Sequence, residues 1–278
     1  MSTRKALYWV IFWISTALCF NLGVYIYMGE QKAIEFLTGY IIEESLSVDN
    51  LFVFLLLFKY FKIPPAYQRR VLNWGIVGVI VLRGIFIFLG VTLITHFEFV
   101  LYIFGAILLY SGFQMAFGEE REIHPEDNRT LKLFKRFMKT THEIHGHSFF
   151  IKKEGVTYAT PLFVCLIVVE STDVVFAIDS IPAIFAITTD PFIVFSSNIL
   201  AVLGLRSFYF LLSAIADKFL FVKKGVGFIL CYVGIKMLIP IINPAYHIPV
   251  FISLLVILSV LFFSVLISII QSRKVDKE

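Results

Sequence analysis

Glu170-Ser171-Thr172-Asp173-Val174-Val175-Phe176-Ala177-Ile178-Asp179 is the stretch that decides how this chain is read. It places three carboxylates inside a run too apolar to belong anywhere but a membrane. At mid-depth in lipid each unpaired charge costs roughly 2.5–3.5 kcal/mol on insertion scales. Three would cost about 8–10 kcal/mol, comparable to the whole stability of an ordinary domain. Such residues are kept only where they face protein, water or an ion. The stretch therefore reads as part of a cation site.

The rest of the chain agrees with a membrane setting. Its 278 residues are 59% hydrophobic and 16% charged, with a mean hydropathy of +0.87. A soluble domain is about 45–50% apolar and about 25% charged. The expected fold is all-α, a polytopic transmembrane helical bundle forming one membrane domain over 1–278. Eight helices are expected, at about 6–28, 33–61, 71–94, 99–117, 158–187, 191–216, 225–239 and 249–270. Each is near or above the ~20 residues needed to span, except the short seventh. The first follows Arg4-Lys5 like a signal peptide, but it is too long for one and no small-residue cleavage site follows, so it reads as retained. Cys19, Cys165 and Cys231 all lie in apolar segments, with no CxxC, and read as packing residues.

Lysine and arginine set the expected orientation. With a cytoplasmic N-terminus, all but four of the 24 fall in inner segments. Lys32 is the one outside, and Arg83, Arg206 and Lys236 lie within helices. Both termini are thus expected in the cytoplasm, and the chain in the cell's inner (plasma) membrane. The lipid bilayer is its expected surrounding partner. No nucleic-acid partner is expected, and oligomerisation is left open.

An internal repeat is present. Ser47-x-Asp49-x-x-Phe52 matches Ser171-x-Asp173-x-x-Phe176 at an offset of 124. Arg83 matches Arg206 at 123. Gly105-x-x-Leu108-x-Tyr110-x-Gly112-x-x-Met115 matches Gly227-x-x-Leu230-x-Tyr232-x-Gly234-x-x-Met237 at 122. The repeats are helices 2–4, about 33–117, and 5–7, about 158–239, joined by a cytoplasmic loop at about 118–157. Three helices per copy invert the second copy, the plan of secondary transporters with midplane sites. Helices 1 and 8 fall outside the repeat and are expected at the periphery.

Glu170 and Asp173 share a helix face, whereas Asp179 lies about half a turn round. Pro182 cannot donate to the carbonyl of Ile178, so a kink or opening is expected near Asp179 that could swing it toward the site. On helix 2, Glu44 and Ser47 share a face, as do Ser45 and Asp49, and Glu43 could join if the helix unwinds. The expected metal ligands are Glu44, Asp49, Glu170, Asp173 and Asp179. Glu43, Ser47, Asn50, Ser171 and Thr172 are further candidates, the hydroxyls equally able to bond backbone carbonyls. Arg83, Arg206 and Lys236 are candidate counter-ions. Oxygen-only ligands suit a hard dication such as Mn²⁺, Mg²⁺ or Ca²⁺. The bland alternative is a buried ion-pair network, but five acids exceed three bases.

In the long loop, Leu131, Phe134, Phe137 and Met138 fit one helical face with bases on the other, the pattern of a membrane-surface helix. His142, His145 and His147 follow and read as a solvated cluster rather than a metal sensor.

Glu44-Ser45-Leu46-Ser47-Val48-Asp49-Asn50, together with Glu170 through Asp179 and the following Ser180-Ile181-Pro182-Ala183, resembles the motifs of the TerC/Alx family of bacterial membrane proteins. The likeness covers roughly 36–237. It implies ties to tellurium-ion resistance and alkaline-pH response, and, for Alx-type members, Mn²⁺ export. It carries the family's acidic positions onto Glu44, Asp49, Glu170, Asp173 and Asp179. Two function classes follow. One is a secondary transporter exporting Mn²⁺, with protons as the exchanged ion. The other is a non-transporting membrane factor for metal loading, assembly or redox modulation. No P-loop, GxGxxG or nucleophile–base pair is evident, so neither an enzyme nor a bound cofactor is expected.

Overall fold

The computed structural model describes residues 3–97, 99–118, 128–141, 143–213, 220–243, 246 and 248–275. The side chains of Thr3, Val48, Asp49, Phe52, Arg129, Leu212, Leu220 and 272–275 lie outside the description. Among the described residues the chain forms nine α-helices and one small sheet. The helices are α1 (Thr3–Met28), α2 (Glu30–Tyr60), α3 (Pro65–His96), α4 (Phe99–Phe117), α5 (Arg129–Phe137), α6 (Pro161–Phe185), α7 (Pro191–Leu212), α8 (Leu220–Ile242) and α9 (Val250–Val275). The strands β1 (Lys139–Thr140), β2 (Phe150–Lys153) and β3 (Val156–Ala159) lie between α5 and α6.

Seven helices, α1, α3, α4, α6, α7, α8 and α9, are long and apolar enough to cross a membrane. The eighth long helix is α2, 31 residues carrying Glu30, Lys32, Glu35, Glu43, Glu44, Asp49 and Lys59. Composition disqualifies it as a lipid-facing span, and packing explains how the fold keeps it. It lies against α1, α6, α7 and α9, which surround it. The outer faces of α1, α3 and α9 show large apolar groups such as Ile26, Phe88 and Phe262. This is the inside-out distribution of an integral multi-pass membrane protein.

In lipid, helices gain little from apolar burial alone, so close backbone approach decides which ones pair. The closest pairing joins α4 and α8 along the matched glycines. A Cβ on Gly112 would lie 2.6 Å from Cys231 N, and one on Gly227 2.6 Å from Ala116 N. Farther along, a Cβ on Gly234 would lie 2.8 Å from Gly105 O. The order of these contacts makes the two helices antiparallel.

Helix ends follow local chemistry. Gly29, at φ 90°, joins α1 to α2 in a conformation strained for other residues. Asp190 caps α7, its Oδ1 accepting from Phe192 N at 3.0 Å, with Pro191 in the first turn. The expected break at Pro182 is not seen. It sits within the last turn of α6, and the helix runs on to Phe185. A proline so near the end disturbs only the carbonyl of Ile178, which lies one turn back.

The loop also differs from expectation. The segment expected as a surface helix forms α5, and part of it packs along α6. Leu131 is buried in the core beside Leu162, the Phe134 and Phe163 rings are 5.6 Å apart, and Asn128 Nδ2 donates to Ser171 Oγ at 2.8 Å. Of the expected apolar face, Leu131 and Phe134 meet α6, whereas Phe137 is exposed. Strands β2 and β3 form a hairpin closed by Glu154-Gly155, both at positive φ.

Candidate functional site

The centre of the molecule is an ion-pair network built by four helices. Arg83 of α3 lies between Glu43 of α2 and Asp173 of α6, and Asn198 of α7 closes the group. Arg83 Nη2 donates to Asp173 Oδ1 at 3.2 Å, and Nε donates to Oδ2 at 3.4 Å. Nη1 donates to Glu43 Oε1 and, at 3.3 Å, to Asn198 Oδ1. Asn198 Nδ2 donates to Glu43 Oε2 at 3.0 Å. All four residues are at most 2% exposed. A planar guanidinium suits this place because it offers donors in two directions at once.

The neighbouring acids are separate. Glu170, one turn before Asp173, lays its carboxylate against Gly78 of α3. A side chain at Gly78 would occupy that space. Glu170 Oε2 is buried and has no hydrogen-bond partner. Glu44 is about 100° round α2 from Glu43 and points elsewhere. Its Oε1 would lie 3.4 Å from a Cβ on Gly204 of α7 and is buried without a hydrogen bond of good geometry, as is Ser47 Oγ, while the Tyr40 hydroxyl one turn back is the polar group beside the Glu44 carboxylate. Buried carboxylate oxygens are nearly always satisfied, so the two unpaired ones, Glu44 Oε1 against α7 and Glu170 Oε2 against α3, call for an explanation.

The other expected residues fall as follows. Ser171 and Thr172 donate to the carbonyl of Val168, at 3.0 and 2.6 Å. Of the two readings open to them, this is the backbone one. Asn50 is buried. Asp179 stays on its own face of α6 and accepts from Ser111 Oγ of α4 at 2.7 Å. Arg206 Nη1 donates to Asn73 Oδ1 at 2.7 Å. Lys236 Nζ donates to Ser253 Oγ at 2.9 Å, an oxygen shared with Tyr232. The side chain of Asp49 and all of His142 lie outside the described residues. His147 packs edge-on to Tyr67. His145 lies 3.2 Å from Glu143, whose carboxyl is held below its ordinary range chiefly by the Lys153 hydrogen bond.

Glu44, Glu170, Asp173 and Asp179, the expected ligands whose side chains are described, are not gathered at one point. Among the described residues no three of His, Cys, Asp and Glu form a metal-holding group. The physical reason is Arg83, which fills the space between the two most buried acids. Glu43, read only as a further candidate, is the described α2 carboxylate that meets Arg83. Asn198 was missed. Its signal was available, as a paired amide and hydroxyl, Ser197-Asn198, in the middle of an apolar helix.

Two clefts lie toward opposite ends of α2. Lys32, Glu35, Thr188 and Asp190 line one; Lys59, Lys62, Gln68 and Tyr209 line the other. At the first, Lys32 Nζ bridges Glu35 and Asp190 at 3.0 and 2.9 Å. Burial works against the Asp190 charge, yet Lys32 and the α7 amides outweigh it and hold the carboxyl below its ordinary pKa. Glu43 lies between the two clefts along the helix.

Comparison with known proteins bears on this arrangement. The model of the family described as "Integral membrane protein TerC family" matches residues 28–276. A protein of Salmonella typhi named "Putative membrane-bound redox modulator Alx" is 48% identical, covering 100% of this chain and 88% of the relative. Its namesake in Escherichia coli (strain K12) is 46% identical over the same shares. The "Uncharacterized membrane protein STKORF319" of Myxococcus xanthus is 44% identical, over 97% of this chain and 84% of its own length. No solved structure matches the chain. With the family's model matching from residue 28 to residue 276, the chain belongs to the integral membrane protein TerC family.

Proposed function

We propose that this protein is a secondary transporter that exports a hard divalent cation, Mn²⁺, through the carboxylates around Arg83, in exchange for protons. Charge balance carries the reading. Glu43 and Asp173 contact the buried Arg83, and Glu44 and Glu170 are their neighbours along α2 and α6 with no base of their own among the described contacts. Fully ionised, they leave three uncompensated negative charges in a low-dielectric interior, which is strongly unfavourable. Protons or a cation must supply the balance, and a group that accepts either can exchange one for the other. The donors are all oxygen, which suits a hard dication. Manganese itself comes from the family resemblance.

The clefts at either end of α2 support a path that is closed in the middle. The antiparallel glycine crossing of α4 and α8 supports an inverted repeat, in which the two copies rock about a fixed site. On this reading the Lys32–Asp190 end faces outward, the termini and the α5 loop face the cytoplasm, and the protein sits in the inner membrane.

The relatives' printed name offers a competing redox reading, and one experiment separates the two. Purified protein is reconstituted in liposomes containing a Mn²⁺-quenched dye, with and without a pH gradient. The wild type is expected to carry Mn²⁺ faster with the gradient. Glu43→Gln is expected to stop it. A variant with Cys19, Cys165 and Cys231 all replaced by Ser or Ala is expected to keep it. Absence of flux in folded wild-type protein would overturn the transport reading.

A further inference from the structure

We propose that the Arg83 guanidinium is a tethered substitute for the transported dication. It bridges Glu43 and Asp173 when no metal is bound, and moves to Glu170 when metal takes its place. The inference rests on the transport reading above and gives that site its competitor.

Three observations carry it. First, the guanidinium occupies the position a bridging cation would need. It contacts both oxygens of Asp173 and one of Glu43, two carboxylates brought by different helices. A dication held by both carboxylates and Arg83 as placed cannot coexist there. Second, the base comes from α3, a third helix, so it can leave without either acid leaving. Asn198 holds the other oxygen of Glu43 at 3.0 Å and keeps that carboxylate in position. Third, an acceptor waits within reach. Glu170 shares the α3-facing side of α6 with Asp173, one turn nearer the start of the helix, and its buried Oε2 has no partner. Its carboxylate lies against Gly78, five residues before Arg83 on α3. Helical side chains lean toward the helix N-terminus, so Arg83 points along α3 toward Gly78.

The charges close in both states. Without metal, Arg83 offsets one of the two central carboxylates, and protons supply what remains. With metal, Glu43 and Asp173 neutralise the dication, and Glu170 neutralises the displaced Arg83. The substitute cation lets the empty carrier cross back without an uncovered charge. A purely structural ion pair would have no second position and would not compete with metal.

The test is Mn²⁺ binding to the purified full-length protein, read by loss of the free Mn²⁺ electron paramagnetic resonance signal as MnCl₂ is added. Arg83→Gln removes the competitor and is expected to bind Mn²⁺ roughly tenfold more tightly than wild type, within the usual range of site coupling. The same variant is expected to retain Mn²⁺/Mn²⁺ exchange in liposomes while net flux falls. Glu170→Gln removes the alternative acceptor and is expected to weaken Mn²⁺ binding about tenfold in the wild-type background. In the Arg83→Gln background it is expected to change nothing. A folded Arg83→Gln protein with unchanged or weaker affinity overturns the proposal. If that variant does not fold, Glu170→Gln alone decides, and unchanged affinity there overturns it equally. Wild-type protein that binds no Mn²⁺ would sink the transport reading and this inference with it.

Discussion

Arg83 and Arg206 occupy matching places, 123 positions apart, and each reaches an asparagine on the other's helix. Arg83 on α3 donates to Asn198 of α7, and Arg206 on α7 donates to Asn73 of α3. There the likeness stops. Arg83 is 2% exposed and bridges two carboxylates, whereas Arg206 is half-buried and, among the described residues, meets only the amide. One sequence motif has thus produced one buried charge centre and one ordinary polar contact. The burden of charge is unequal between the two arginines: in the described part of the molecule the buried one serves acids of both α2 and α6, and the half-buried one serves no acid.

The comparison can be broken by removing each arginine in turn. In metal-free protein, Arg83→Gln is expected to cost about 3–5 kcal/mol, the usual result of leaving a buried charge uncompensated. Arg206→Gln is expected to cost about 1 kcal/mol, one hydrogen bond. Thermal unfolding in detergent compares the two. MnCl₂ should restore much of the loss at Arg83 and none at Arg206.

The carboxylates that flank the centre give a second contrast. Gly78→Ala places a methyl where the Glu170 carboxylate now lies, whereas Gly204→Ala brings one to ordinary contact with Glu44. The first is expected to slow Mn²⁺ flux by roughly tenfold and the second by less than twofold, reflecting the energetic difference between a clash and van der Waals contact. Equal effects would remove the distinction drawn between the two acids.

Asp179 sits outside the centre, so losing its Ser111 donor should matter less. Ser111→Ala is expected to reduce flux by about twofold to threefold, the scale of one partly exposed hydrogen bond. An effect as large as that of Gly78→Ala would place Asp179 on the pathway.

The smallest effect belongs to the Lys32–Asp190 pair. The folded pKa of Asp190 lies below its unfolded value of about 3.9, so its contribution is complete above that pH and fades as pH falls through the folded pKa. Asp190→Asn is expected to lower stability by up to about 1 kcal/mol at pH 7, with the gap closing below about pH 4. Unfolding curves across that range check the sign.

Much of the fold was legible from apolar runs, because lipid enforces them. α4 begins and ends where its apolar run does, at Phe99 and Phe117. α3 instead starts at Pro65, since Tyr67-Gln68-Arg69-Arg70 continue the helix beyond the apolar core. Hydropathy marks the span and not the helix end. The Glu154-Gly155 hairpin had a readable turn but polar strands, which gave no alternation to follow. At the site, the acids were legible because charge in lipid is costly. Their grouping was not. Glu43 and Glu44 differ by one residue, and which of them faces the centre depends on where Arg83 enters from α3. That is a tertiary fact with no local signature.

Mn²⁺ binding by purified wild type against Asp173→Asn tests the account most directly. Asp173 is the carboxylate that Arg83 grips with two nitrogens, and its charge is the one the site can least do without. The wild type is expected to bind Mn²⁺ saturably, and Asp173→Asn to bind it about a hundredfold more weakly, as loss of a full ligand charge in low dielectric implies. Equal binding by the two folded proteins would contradict the account.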